Sequence, residues 1–191
     1  MTEIIIIRHG ETEWNQTGRF QGHSDVPLSE TGRAQAEALG RNLAIDHVDA
    51  IYASDLTRAI ETAAPLAARF SLTVTPDPLL RELNFGAWEG RSFSDVNAEN
   101  PNAMKQFYND PECADIPDSE PFPDFQSAWR AAFVRLQNCI AANALSLSHM
   151  EHPSESCLPI FLPCRFVRYG IYPSSTQQST RFVSKTMALP L

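Results

Sequence analysis

The sequence predicts an α/β protein with a mostly parallel central sheet and helices on both faces. Two observations lead there. Strand-like and helix-like segments alternate from the N-terminus, which is the rhythm of a parallel sheet with crossover helices. The first strand-like run, Ile4-Ile5-Ile6-Ile7, shows no alternation of apolar and polar residues. That is how a central strand reads when both its faces are covered.

The elements follow in order. Glu3 to Arg8 is the first strand, and His9-Gly10 ends it. The polar stretch Glu11 to His23 reads as a loop or short helix. Ser29 or Thr31 can cap a helix whose apolar positions are Ala34, Ala38, Leu39 and Leu43. Val48 to Ser54 is a second strand. Asp55 is placed to cap the next helix, with Ala59, Thr62, Ala63 and Leu66 on its inner face and Pro65 as a point of kinking. Leu72 to Thr75 is a third strand. Pro101, Pro111, Pro117, Pro121 and Pro123 mark an excursion outside the sheet. Asp124 then stands before the clearest amphipathic stripe in the chain: Phe125, Ala128, Trp129, Ala132, Phe133, Leu136, Cys139 and Ile140. At this spacing the stripe is a core face.

The 191 residues carry 43% apolar side chains and a net charge of -8. That length suits one compact domain. The acidic balance argues against nucleic acid or an anionic membrane as the main partner. An anionic substrate would need its positive charge gathered locally. The apolar run at the N-terminus is too short to span a bilayer and lacks a basic leader. The four cysteines have neither metal nor redox spacing and read as isolated reduced thiols. A cytoplasmic location is the expectation.

Residues 1–145 form the expected domain. Residues 146–191 differ: they are slightly basic and rich in proline and serine. Their one apolar run, Leu158 to Val167, is broken by Pro159 and Pro163. A disordered or loosely packed cover is expected there. A shift of reading frame near Ala144 would account for the sudden loss of pattern.

Three clusters carry chemistry. In Arg8-His9-Gly10 a guanidinium fork, an imidazole and a flexible backbone position meet at a strand end. Imidazole is a nucleophile when neutral, and arginine matches phosphate oxygens. In Ser54-Asp55-Leu56-Thr57-Arg58-Ala59, Arg58 lies in a first helical turn, where backbone N–H groups favour anions. By itself it reads more readily as a surface arginine paired with Asp55 or Glu61. In Arg81-Glu82-Leu83-Asn84-Phe85-Gly86-Ala87-Trp88-Glu89-Gly90, Glu82 could protonate a leaving alcohol or simply bridge to Arg81.

Taken together with Glu11-Thr12-Glu13-Trp14-Asn15, Arg19-Phe20-Gln21-Gly22, Asp25-Val26-Pro27-Leu28-Ser29-Glu30-Thr31-Gly32 and Tyr52-Ala53, these clusters resemble the histidine phosphatase (phosphoglycerate mutase-like) superfamily. The resemblance covers roughly the first half of the chain, with several motifs in the family's order and spacing. It implies a three-layer α/β/α sandwich. It implies that His9 is phosphorylated on its ring nitrogen, that Arg8 and Arg58 clamp the phosphate, and that Glu82 is the general acid and then base. Gly10, in the same strand-end turn, is expected to bind substrate through close approach of its backbone, and Asn15, Gln21 and Gly22 are implied as pocket-wall contacts to phosphate or substrate. No metal and no organic cofactor is implied for hydrolysis. The implied partner is a small phosphorylated metabolite, and homodimerisation stays open.

The implied reaction is hydrolysis of small phosphomonoesters through a phosphohistidine. The Arg81 to Gly90 segment and the short chain look more like the phosphatase branch. A primer-dependent phosphoglycerate mutase and a phosphate-binding pseudoenzyme are the alternatives. The family also carries a second histidine in a late Ser-His-Gly-Gly-like turn, and no such motif is present. Ser148-His149-Met150 follows the long helix at about the right place, with Leu145 to Ser148 as a short strand leading to it. His149 is the candidate stand-in and His152, followed by Pro153, the weaker one; both read more readily as ordinary residues of the tail.

Overall fold

The computed structural model describes residues 2–148, 164–169 and 185–187, with side chains from Ile4 to Asn138. His149, His152, most of the 146–191 segment, and the side chains of Cys139 and Ile140 lie outside these. The chain forms two compact units. One runs from His9 to Arg130. The other joins Met1–Arg8 to the residues from Ala131 onward.

In the latter unit, β1 (Thr2–Ile7) pairs parallel with β4 (Cys164–Tyr169), from Thr2 opposite Cys164 to Ile7 opposite Tyr169. β4 pairs antiparallel with β5 (Lys185–Met187). Within the tail, for which the sequence predicts a disordered or loosely packed cover, β4 begins directly after Pro163, where six proline-free residues rich in Phe, Val and Tyr suit an extended chain. Ile4 to Ile7 are half-buried rather than covered on both faces. The order β1-β4-β5 accounts for this: β1 stands at the edge of the described sheet.

In the 9–130 unit, β2 (Ile51–Ala53) and β3 (Val74–Pro76) pair parallel. Helix α1 (Glu13–Gln16) fills the polar stretch and is held by a capping box between Thr12 and Asn15. Helix α2 (Glu30–Asn42) is capped by Ser29, whose hydroxyl accepts from Gly32 N. Helix α3 (Thr57–Phe70) packs on α2 and on both strands. It continues through Pro65, whose Cβ lies 2.8 Å from the point where a side chain on Gly40 of α2 would begin.

Asp55 does not cap α3. Thr57 N and Oγ1 donate instead to Asp25, at 2.7 and 2.8 Å, and the Asp55 carboxylate is taken by Arg81. The proline-rich middle is helical and not sheet. α4 (Phe93–Glu99) is capped by Ser92, and α5 (Pro101–Asn109) starts on its proline with Asn100 as cap. Proline is tolerated there because a first-turn N–H has no intrahelical acceptor to lose.

Helix α6 (Phe122–Ser148) starts two residues before Asp124, which sits in its first turn rather than capping it. It also absorbs Leu145 to Ser148, which the sequence assigns to a strand. Ala132 and Leu136 of its stripe are buried.

An aromatic core supports the loops of the 9–130 unit. Phe20 packs against Phe85 and Trp88, each at 5.1 Å between ring centroids, with Leu83, Val96, Met104 and Ile116 around them. Full burial of such side chains contributes about 1.5–3 kcal/mol each. The loops at Phe20 and at Leu83 to Trp88 therefore share one rigid base.

Candidate active site

The site is built where the loop after β1 meets the start of α3. His9 is half-buried, and its Nδ1 lies 2.7 Å from Gly10 O. A carbonyl oxygen can only accept, so Nδ1 carries the hydrogen. In the neutral ring that leaves Nε2 with a lone pair. The turn is tied down by Gly10 N, which donates to Thr62 Oγ1 at 2.9 Å. Thr62 in turn donates to Arg58 O at 2.7 Å. One hydroxyl thus links the His9 turn to the helical turn that carries Arg58.

Gly10 is required by close approach: a Cβ there would lie 2.7 Å from Gly32 O. What the geometry gives Gly10 is close packing against the start of α2.

Arg58 is 2% exposed, the reverse of a surface arginine. Its guanidinium donates to Ser24 O at 2.8 Å and Gly22 O at 2.7 Å, and faces Glu82 Oε2 at 3.5 Å. Burial pushes its pKa down, while the nearby carboxylates Glu82, Asp25 and Glu89 act the other way. Asp55 and Glu61 are not its partners: Glu61 accepts from Leu28 N and pairs with Arg33.

Glu82 is not bridged to Arg81. Arg81 holds Asp55 through Nε at 2.7 Å and through Nη2, a two-pronged pair that lowers the Asp55 pKa and raises that of Arg81. The Arg81 carbonyl is fixed by Trp129 Nε1 at 2.9 Å. With Arg81 engaged on one side, Glu82 is left opposite Arg58, with its side chain 46% exposed.

Asn15 and Gln21 both turn their amide oxygens towards Thr12. Asn15 Oδ1 accepts from Thr12 N at 3.0 Å, and Gln21 Oε1 accepts from Thr12 Oγ1 at 2.7 Å. Both amide NH₂ groups are thereby left to serve as donors, the orientation an anionic or hydroxylated ligand requires. Gly22 has φ +54 and contributes its carbonyl to Arg58. It works through the arginine as well as in the loop wall. Arg8 ends the other unit, directly before His9, and is exposed.

Sequence reasoning missed three supporting residues. Thr62 reads as one more small residue on the inner face of a helix. Asp25 lies in a loop 32 residues from the helix it caps. Glu89 reads as part of a glycine-rich turn, although a carboxylate beside Gly90 and within an aromatic loop was a usable signal. Cys113 is a free, exposed thiol.

Parallel pairing in an α/β chain, with a histidine and a glutamate on loops and a buried arginine in the first turn of α3, defines the class of protein. The chain belongs to the histidine phosphatase superfamily (branch 1), whose pattern matches residues 4–151. It is 37% identical over 140 residues to the probable phosphoglycerate mutase GpmB of Yersinia pestis (strain Pestoides F), a match covering 73% of this chain and 64% of that one. It thus spans about two thirds of the length of the curated relatives it matches.

Among solved structures it is similar to Bacillus stearothermophilus YhfR, with a TM-score of 0.64 and 33% identity over 74% of this chain and 69% of that one. It is also similar to the mycobacterial glucosyl-3-phosphoglycerate phosphatase Rv2419c solved with VO3, with a TM-score of 0.65 and 34% identity over 70% and 66%. The alpha-ribazole phosphatase of Shigella flexneri gives a TM-score of 0.65 and 31% identity over 74% and 69%. The fold is therefore the α/β histidine phosphatase fold. No helix among the described residues is long and apolar enough to cross a membrane.

Proposed function

We propose that this chain hydrolyses small phosphomonoesters through a phosphohistidine formed on His9. The observation that carries the reading is the bond from His9 Nδ1 to Gly10 O, because it puts the hydrogen on Nδ1 and the lone pair on Nε2 and holds the ring in one orientation. Nε2 attacks phosphorus, and the bond from phosphorus to the leaving oxygen breaks. Glu82, as a carboxylic acid, gives its proton to that oxygen, so the leaving group departs as an alcohol. Water then attacks phosphorus and yields its proton to the Glu82 carboxylate. The N–P bond breaks, and inorganic phosphate and neutral His9 return.

Arg58 supplies the charge that such a transfer needs, and Asn15 and Gln21 supply donors. An incoming phosphate competes with Glu82 for Arg58, which couples anion binding to the state of the acid. Arg8, next to His9 in the chain, is proposed as a second guanidinium for the phosphate. The solved phosphatases at 31–34% identity support hydrolysis as the reaction.

The likeness to a protein named as a probable phosphoglycerate mutase favours a second reading, transfer between two hydroxyls of a phosphoglycerate. One experiment tests both. The purified chain and His9→Ala are given a panel of phosphomonoesters that includes 3-phosphoglycerate, with and without a bisphosphoglycerate primer. Hydrolysis predicts primer-independent phosphate release that His9→Ala abolishes, together with one acid-labile phosphoryl group on the parent chain. Primer-dependent isomerisation supports the mutase. Equal phosphate release by both chains rejects the histidine mechanism, and binding without turnover marks a phosphate-binding protein.

A further inference from the structure

Glu89 makes a set of bonds that the mechanism above does not use. Its Oε1 accepts from His23 N at 2.8 Å and Phe85 N at 3.2 Å. Its Oε2 accepts from Ser24 N at 2.8 Å and Ser24 Oγ at 2.6 Å. Three of these four donors are backbone N–H groups, and they come from two loops. His23 and Ser24 lie in the loop whose carbonyls, Gly22 O and Ser24 O, hold the Arg58 guanidinium. Phe85 lies in the loop that starts with Glu82. One carboxylate therefore sits between the seat of the arginine and the loop of the acid.

The approach is close. A Cβ on Gly22 would lie 2.1 Å from Glu89 Oε1, so this loop can wrap the carboxylate only with glycine at that position. A side chain with four acceptor sites and no donor is the one that satisfies N–H groups arriving from both loops.

We infer that Glu89 is a positioning residue, which sets the Arg58 guanidinium relative to Glu82 by clamping the 22–25 loop to the 82–89 loop. It touches no reacting atom and acts through Arg58. The inference rests on Arg58 being the anion ligand of the proposed function, and its test is arranged to separate the two.

The variant is Glu89→Gln, which keeps shape and removes one acceptor oxygen. Whichever way the amide turns, its NH₂ group faces a backbone N–H, so the clamp opens on one side. The first readout needs no ligand: hydrogen exchange of the Arg58 guanidinium, followed by NMR. Exchange should accelerate at least about tenfold in Glu89→Gln while the aromatic near-UV signature of the Phe20–Trp88 core persists. The second readout is the affinity for inorganic phosphate in a double-mutant cycle with Arg58→Ala. In the Arg58 background, Glu89→Gln should weaken phosphate about tenfold, the scale of a small displacement of a positioned group. In the Arg58→Ala background it should change affinity less than about twofold.

Equal fold-losses in both backgrounds, or unchanged Arg58 exchange in the folded variant, overturn the inference. If Glu89→Gln does not fold, Ser24→Ala, which removes only the hydroxyl bond to Oε2, carries the same cycle with a smaller expected loss of about threefold. Unchanged Arg58 exchange in Ser24→Ala then counts against the clamp. A parent chain that binds no phosphate rejects the proposed function, while the ligand-free exchange still decides the clamp.

Discussion

Arg58 and Glu82 face each other at 3.5 Å, the arginine side chain 2% exposed and that of the glutamate 46% exposed. This pair joins the anion ligand to the proton donor. The guanidinium stays in place without its glutamate, because two backbone carbonyls already hold it. A phosphate that arrives can therefore take the place of Glu82 on an arginine that keeps its seat.

That asymmetry predicts different outcomes for two variants. Arg58→Lys keeps the charge and loses the fork, so it cannot serve Gly22 O, Ser24 O and a phosphate together. We expect kcat/KM to fall about 100-fold, the scale of losing one positioned donor to a developing charge. Stability should fall by about 2 kcal/mol, since buried carbonyls lose charged donors. Glu82→Gln removes the proton and leaves the arginine seated. It should lower kcat strongly, with phosphate affinity unchanged or tighter and the denaturation midpoint within about 0.5 kcal/mol of the parent. Steady-state kinetics and urea unfolding check both.

The Asp55–Arg81 pair predicts a pH dependence. Arg81 lowers the Asp55 pKa in the folded chain, so the folded state favours the ionised carboxylate. The stability this adds is fully present above the unfolded carboxylate value of about pH 4, and it is lost as pH falls through the lower folded value. Asp55→Asn should therefore be less stable than the parent by about 1 kcal/mol at neutral pH, a modest figure because both groups remain partly solvated. The gap should close as pH falls below about 4. Urea midpoints measured from neutral to strongly acid pH test this; a gap that persists undiminished in acid would mean the pair contributes nothing through charge.

The same pair shows what the sequence could and could not tell. The strand run at Ile4 to Ile7, the cap at Ser29 and the helix carrying Arg58 rest on local signals, and they stand where the sequence puts them. Asp55 was legible as a cap by every local rule. Its carboxylate is instead drawn to Arg81, 26 residues away, while Asp25 comes in from another loop to serve α3. Pro101 reads as a breaker because the sequence does not say whether a proline ends one element or begins the next. Asn100 before it was the usable clue. Of the site, His9, Arg58 and Glu82 were legible as residue types in a known order. That Glu82 turns to Arg58 rather than Arg81, and that Thr62 and Glu89 hold the frame, depends on long-range bonds that carry no local pattern.

Gly32 gives a third prediction. It follows the Ser29 cap at the start of α2, and a Cβ there would lie 2.0 Å from Glu11 O and 2.9 Å from Glu11 N. The obstacle is backbone, so no side-chain rotation relieves it. Gly32→Ala must push the Glu11 segment away, and with it Ser29 N and Oγ, both bonded to Glu11 O. Although alanine is the better helix former by about 1 kcal/mol, the net effect should be a loss of about 2 kcal/mol or more, as overpacking against an immobile neighbour costs. An unfolding midpoint at or above the parent's would show that the loop yields freely.

Thr62→Val is the sharpest test of the frame around His9. The valine keeps the volume of threonine and removes the hydroxyl that accepts from Gly10 N and donates to Arg58 O. The Arg58 carbonyl is largely compensated, because it belongs to a helix that continues through this turn. Gly10 N is not, since it is buried and would face a methyl group. Leaving one buried donor unpaired costs about 1–3 kcal/mol, and that strain falls on the turn whose carbonyl orients the His9 ring. Thr62→Val should therefore remain folded, with a urea midpoint lowered by about that amount. Its rate of His9 phosphorylation should fall by about tenfold or more, while phosphate affinity, set by Arg58, stays near the parent's. Thr62→Ser, which restores the hydroxyl, should recover most of the rate. If valine and serine behave alike in single-turnover phosphorylation, the hydroxyl bridge is not what holds His9 for attack.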